Sequence, residues 1–190
     1  WTFDLVAEAG IWPHDGAHGS VLIHGDYLYV NTGNGVDNTH KRIRRPDAPS
    51  LIVLDKRTGK WIARDDEHIG PHIFHCTWCS PSLAEVNGRP QIFFGGGNGV
   101  IYAFDPVQKA TASEVQNLKK VFQFDFDPTA PKTNVHKFNS NRREGPCNVY
   151  GMPVFHENRL YVAGGGDIWW GKNEAWLKCI DATQTGDITT

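Results

Sequence analysis

Tyr27-Leu28-Tyr29-Val30-Asn31-Thr32-Gly33, Gln91-Ile92-Phe93-Phe94-Gly95-Gly96-Gly97 and Arg159-Leu160-Tyr161-Val162-Ala163-Gly164-Gly165 are three versions of one pattern: an apolar strand running into a glycine turn. Each is followed by a second strand that ends in aspartate, at Leu51-Ile52-Val53-Leu54-Asp55, Ile101-Tyr102-Ala103-Phe104-Asp105 and Leu177-Lys178-Cys179-Ile180-Asp181. The copies recur roughly 60–70 residues apart. Self-similarity at a fixed period is the mark of a repeat fold.

Around each copy the chain reads as short strands separated by Gly, Asn and Pro. The first repeat comprises Ser20–His24, Tyr27–Asn31, Ser50–Asp55 and Lys60–Arg64, with turns at Gly25-Asp26 and Lys56–Gly59. The second comprises Pro81–Glu85, Gln91–Phe94, Val100–Asp105 and Lys120–Phe126. The third has Pro153–His156, Arg159–Ala163 and Trp176–Asp181, without a fourth strand. Thr2–Val6 reads as the last strand of a preceding unit, and only Ser113–Lys120 has helix-like spacing.

Four-stranded antiparallel units in succession bury their sheets against one another, and radial closure protects their edges. The expected fold is therefore an all-β propeller of about three blades, at about 16–65, 76–127 and 148–190, with residues 1–10 ending an earlier blade. Propellers close with four to eight blades. The chain is thus read as a single propeller segment, an incomplete ring belonging to a longer chain. Loop length varies most between each aligned glycine and its aspartate, and such insertions collect on one face, where binding occurs.

Composition sets the outer bounds. The 190 residues are 39% hydrophobic and 12% aromatic, with 20 Gly and 11 Pro, which suits a turn-rich β domain. A net charge of −2 argues against a nucleic-acid or anionic-membrane partner. The basic run Lys41–Arg45 is local and reads as a solvated loop or, alternatively, a phosphate contact. No apolar stretch is long enough to span a bilayer. The chain opens on Trp1-Thr2-Phe3-Asp4 and is read as mature or incomplete.

The segment Leu54-Asp55-Lys56-Arg57-Thr58-Gly59-Lys60 resembles the signature of the pyrroloquinoline-quinone (PQQ) propeller repeat of quinoprotein dehydrogenases and non-enzymatic outer-membrane assembly lipoproteins. The third copy, Ile180–Asp187, carries one extra residue; the second has lost the motif. The tryptophan that usually follows the turn by three residues is replaced by Trp61, directly after Lys60. Asn34–Asp37, Pro46–Ile52, His75–Pro81 and Cys179–Ile188 are similar, in order, to runs in extracytoplasmic, planctomycete-type PQQ-binding-like propellers. The resemblance implies a propeller outside the cytoplasm, periplasmic or otherwise exported. Many members of the family carry the repeat without the cofactor.

Family members that do use the quinone stack it on a tryptophan floor. They hold calcium or a lanthanide with carboxylate and amide oxygens, use an aspartate base, and in alcohol dehydrogenases cover the quinone with a disulfide of adjacent cysteines. No adjacent cysteines and no such carboxylate–asparagine set occur here. Trp169 and Trp170 offer an aromatic face or simple loop packing.

The most chemically suggestive stretch is His68 to Cys79. His75, Cys76 and Cys79 are the ligand types zinc prefers, although alternation along a strand puts residues three apart on opposite faces. The similar propellers carry Gly and Ser where Cys76 and Cys79 stand. Covalent haem is disfavoured because Ser80, not histidine, follows Cys79. Cys147 aligns near His75, so a disulfide with Cys76 or Cys79 across neighbouring blades is a further reading, its connectivity open. His14 and His18 precede the first inner strand as His75 precedes the second. With His72, Trp78, Trp169 and Trp170 they are candidates to line a channel mouth. No P-loop, dinucleotide fingerprint or nucleophile elbow is present.

Two functions follow as expectations. The first is a non-catalytic binding or scaffolding module that meets a protein or carbohydrate through its loop face. The second is a quinoprotein-type or metal-dependent oxidoreductase, or a subunit of a redox assembly, with PQQ or a metal on the propeller axis and part of the site in other blades.

Overall fold

The computed structural model describes residues 1–111 and 114–189. Three antiparallel sheets follow one another along the chain. The first is the meander β1 (Leu22–His24), β2 (Tyr27–Asn31), β3 (Leu51–Asp55) and β4 (Trp61–Arg64). The second contains β5 (Ser82–Val86), β6 (Arg89–Gly95), β7 (Val100–Phe104) and β9 (Lys120–Asp125), while β8 (Gln116–Asn117) branches off between β7 and β9. The third contains β10 (Val154–His156), β11 (Arg159–Gly165) and β12 (Ala175–Asp181), followed by β13 (Gly186–Asp187). This is an incomplete β-propeller of three blades, and every long strand lies within two residues of its expected position.

Each sheet is apolar on the face it turns to its neighbour. Tyr29, Leu51, Val53 and Ala63 of the first blade pack with Ile92, Phe94, Tyr102 and Phe104 of the second. On the other face of the second blade, Phe93, Ile101, Ala103 and Phe122 pack with Leu160, Val162 and Ile180 of the third. Full burial of one such side chain stabilises by about 1.5–3 kcal/mol, so each seam contributes substantially to folding.

Strand exchange ties the blades further. β8 leaves the second blade to pair in parallel with β4, through Ala63 opposite Gln116, and β13 pairs likewise with β9. These short strands take the outer edges that a free sheet would expose. The third sheet keeps three strands, and its outer face leaves Val154, Tyr161 and Leu177 exposed.

The strand-ending aspartates have a local cause. Asp55 Oδ1 accepts from the backbone N–H groups of Arg57 and Thr58 and from the Thr58 hydroxyl at 2.8–2.9 Å. Asp181 does the same with Thr183 at 3.0 and 2.7 Å. These bonds, the Thr58 N–H foremost, hold the Asp55 carboxyl below the usual carboxylate range. Gly59 closes its turn with φ of 74°, where a side chain would be strained, and a Cβ there would lie 2.5 Å from the Trp1 ring. The Trp1 indole N–H donates to the Lys56 carbonyl at 3.2 Å, so a tryptophan does cap this turn, from the chain start rather than from position 61.

Two expectations are corrected. Residues 2–6 are not a strand, because Leu5–Ala9 forms a short helix (α1). Asp4 accepts from the N–H groups of Val6 and Ala7, Glu8 accepts from the Asp4 N–H, and Gly10 ends the turn in the left-handed region. This capping closes the backbone on itself and outweighs the alternating apolar pattern. Within 113–120, the described residues contain β8 and no helix; Ser113 lies outside the described residues. Among the described residues no helix is long and apolar enough to cross a membrane.

Gly59→Ala is expected to cost about 1–2 kcal/mol from backbone strain alone. It should cost measurably less in a Trp1→Ala background, read from urea midpoints in a double-mutant cycle; additive effects would show that Trp1 and Gly59 do not act together.

A second prediction concerns Asp65, which ends the first blade fully buried and accepts from the N–H groups of Ser50 and Leu51 at 2.7 Å. Burial wins over these donors and raises its carboxyl to about 6. The folded state thus binds this proton more tightly than the unfolded chain does. The group favours folding below about pH 4, and that advantage, roughly 2–3 kcal/mol, is lost as pH rises through about 6. Asp65→Asn should flatten the stability profile between those values.

Candidate functional site

The three segments that lead into β1, β5 and β10 converge. Residues 33–36 run between two of them: Pro13 bridges Asn34 on one side, and Gly35 bridges Cys76 on the other. His14 N donates to the Gly33 carbonyl at 3.1 Å, and Val36 N donates to the His75 carbonyl at 2.8 Å. A Cβ at Gly35 would lie 2.7 Å from His14 Cβ and 2.8 Å from the His75 carbonyl oxygen. Glycine therefore permits the crossing that sets His14 against His75.

The two imidazoles meet Nε2 to Nε2 at 2.9 Å, both rings buried. His75 Nδ1 lies 2.6 Å from Asp167 Oδ2, and His14 Nδ1 lies 2.8 Å from the Val36 carbonyl oxygen. Both outer partners are acceptors, so with each Nδ1 donating outward the Nε2–Nε2 contact requires a proton or another cation shared between the rings.

Asp167 anchors this arrangement. Its Oδ2 also accepts from the Tyr150 hydroxyl at 2.8 Å, and its Oδ1 accepts from the N–H groups of Trp169 and Trp170 at 2.9 and 2.7 Å. Burial pushes its carboxyl up, but His75, the Trp170 N–H and Tyr150 together pull it below the ordinary range. Burial, followed by repulsion between charges, makes Tyr150 a very weak acid.

A third histidine completes the cluster. Asp37 collects the Thr39 hydroxyl and N–H and the Arg42 guanidinium, and these donors, the Thr39 hydroxyl foremost, hold its carboxyl at about 2. His40 N donates back to the Asp37 carbonyl at 2.8 Å, which puts His40 in the left-handed region with φ of 55°. Its ring stacks on Trp170 with centroids 4.2 Å apart and stands edge-on to His14 at 4.8 Å. One ring nitrogen from each of His14, His40 and His75 lies within 4.8 Å of the others. Burial, then proximity to His75, lowers the pKa of both His14 and His40.

Aromatic rings surround the cluster. Trp78 lies 4.8 Å from His75 and 5.0 Å from Tyr150, with His18 and Trp169 edge-on at 6.3 Å. Of the residues expected at a channel mouth, His14, Trp78, Trp169 and Trp170 gather here, and His18 sits at the rim. His72 does not join them; its Nδ1 lies 2.7 Å from the Lys132 carbonyl oxygen.

The structure brings His75 to His14 and His40 and not to the cysteines. Cys76 Sγ lies 3.2 Å from the Gly33 carbonyl oxygen, as a thiol that donates, and burial pushes its pKa far up. Cys79 takes the Gly95 N–H at 3.1 Å and faces the Gly151 carbonyl at 3.3 Å, with its thiol raised to about 12 by burial. A thiolate is what zinc binds, and these pockets oppose its formation. Cys147 is buried, its thiol also raised to about 12, and Cys76, Cys79 and Cys147 are all free thiols, so no bridge of Cys147 to either partner is formed.

Sequence reasoning did not include His40, Tyr150 or Asp167. His40 lies in the longest loop insertion, and Asp167 follows the third glycine run directly before the tryptophan pair. A carboxylate beside exposed aromatics in a loop was the available signal.

No family model matches the chain, and no curated protein does. Among solved structures it is similar to BamB from Moraxella catarrhalis, with 18% identity over 86% of this chain and 36% of that one, at a TM-score of 0.46. It is also similar to the quinohemoprotein alcohol dehydrogenase ADHIIG from Pseudomonas putida HK5, with 15% identity over 87% of this chain and 25% of that one, at a TM-score of 0.48. The chain spans about a third and a quarter of these proteins.

Asp167→Ala should cost about 3 kcal/mol or more, since it strands Tyr150, the His75 ring and two backbone N–H groups at once. Tyr150→Phe removes one of four bonds to the carboxylate and should cost about 1 kcal/mol. Equal losses in chemical denaturation would show that Asp167 is not the anchor.

Proposed function

We propose that the chain is part of an extracytoplasmic PQQ-like propeller that acts as a non-catalytic binding module, holding a protein or carbohydrate partner at the mouth formed by its strand lead-ins and loops. The observation that carries this reading is a pair of exposed apolar side chains on a pinned loop. Ile168 and Trp169 are 71% and 61% exposed. Their backbone is fixed by Asp167 from within and by Arg142, whose guanidinium donates to the carbonyls of Ile168, Trp169 and Gly171 at 2.7–3.2 Å. An aromatic side chain held in place before its partner arrives loses little entropy on binding, which is how rigid anchors gain affinity. The exposed apolar strip Val154, Tyr161 and Leu177 on the third blade supports a second contact, to a further blade of the same repeat.

The quinoprotein alternative lacks fitting residues among those described. Both oxygens of Asp167, the carboxylate nearest the tryptophans, are committed to His75, Tyr150 and two N–H groups. The four cysteines are separate and free, so no vicinal disulfide caps a quinone. A metal-dependent reading draws on other residues, His14, His40 and His75.

Affinity electrophoresis through neutral polysaccharide gels, paired with retention of envelope proteins on immobilised chain, tests the binding reading. Retardation or retention of the native protein should fall about tenfold in Trp169→Ala. Equal behaviour of the two proteins in both assays would overturn it.

A further inference from the structure

We propose that His14, His40 and His75 form a binding site for a divalent transition ion of the zinc class, with the Asp15 carboxylate or water as fourth ligand. The site is independent of the partner-binding reading.

Asp167 fixes the hydrogen of His75 on Nδ1, and the Val36 carbonyl fixes that of His14 on Nδ1. The two Nε2 atoms then face each other at 2.9 Å in a buried space, a contact that needs a cation, a shared proton or a metal ion, between or beside them. Metal-binding histidines are oriented in this way, with the far nitrogen donating to a carboxylate or a carbonyl. The His40 ring is held in plane by stacking on Trp170, with centroids 4.2 Å apart.

The spacing also fits. Tetrahedral zinc with nitrogens at 2.0–2.1 Å separates its ligand atoms by roughly 3.3 Å. The His14–His75 pair needs to open by only a few tenths of an ångström, and His40, half-buried on its loop, closes from within 4.8 Å. Asp15 Oδ2 already lies 3.6 Å from His14 Nε2. Three imidazoles and at most one carboxylate select zinc, copper or nickel over calcium and magnesium, which require oxygen cages.

A single proton shared by His14 and His75 is the competing explanation of the short contact, and the experiment separates the two. Chelator-treated full-length chain is titrated with Zn²⁺ and with Co²⁺, following heat and the visible spectrum. The expected result is one ion per chain, with the strong visible bands of four-coordinate cobalt and no thiolate charge-transfer band. His40→Ala, at a half-buried loop position where folding is least at risk, should weaken zinc binding about 100-fold or more. His75→Ala should do the same, provided its circular dichroism matches the native chain. Failure to bind one ion tightly, an unchanged affinity in His40→Ala, or a sulfur charge-transfer band would overturn the three-histidine site.

Discussion

A sheet with apolar side chains on both faces has to be covered twice, and that requirement organises this molecule. Phe93, Ile101 and Phe122 point from the second blade toward the third, while Ile92, Phe94 and Phe104 point toward the first. Neither set can be buried by folding the sheet onto itself. Face-to-face stacking in chain order solves the problem, and the parallel additions of β8 and β13 close outer edges that stacking alone leaves open.

The histidine cluster is a by-product of that stacking. Because successive blades align, their lead-in segments meet at one end, and the chain at 33–36 must pass between two of them. Only a residue without a side chain fits at Gly35. The close pass brings His14 and His75 into contact from positions far apart in the chain. A third lead-in contributes Tyr150, and the β11–β12 loop contributes Asp167. The hydrogen bonds of one buried carboxylate then orient an imidazole, a phenol and two tryptophan backbones together, so any displacement of Asp167 is felt across the whole mouth.

That mouth joins two chemistries usually kept apart. Exposed Trp169 and Ile168 suit a partner surface, whereas the facing buried Nε2 atoms of His14 and His75 suit a cation. Asp167 is common to both, since its Oδ1 fixes the tryptophan loop and its Oδ2 fixes the ring of His75.

Repeat spacing, strand alternation and glycine turns determined the blades from the sequence alone, because a strand's pairing is local and its two faces are written in alternate residues. The same local reasoning failed at residues 2–6, where Asp4 and Glu8 capped a turn of helix instead. It grouped His75 with Cys76 and Cys79, whereas in the fold His75 meets His14 and the two thiols point into backbone pockets. His40, Tyr150 and Asp167 carry no periodic signal; they meet His14 and His75 only through the stacking of whole blades. Which side chains share a site across more than sixty residues is set by how sheets pack, and that is a property of the tertiary structure, not of any segment of the chain.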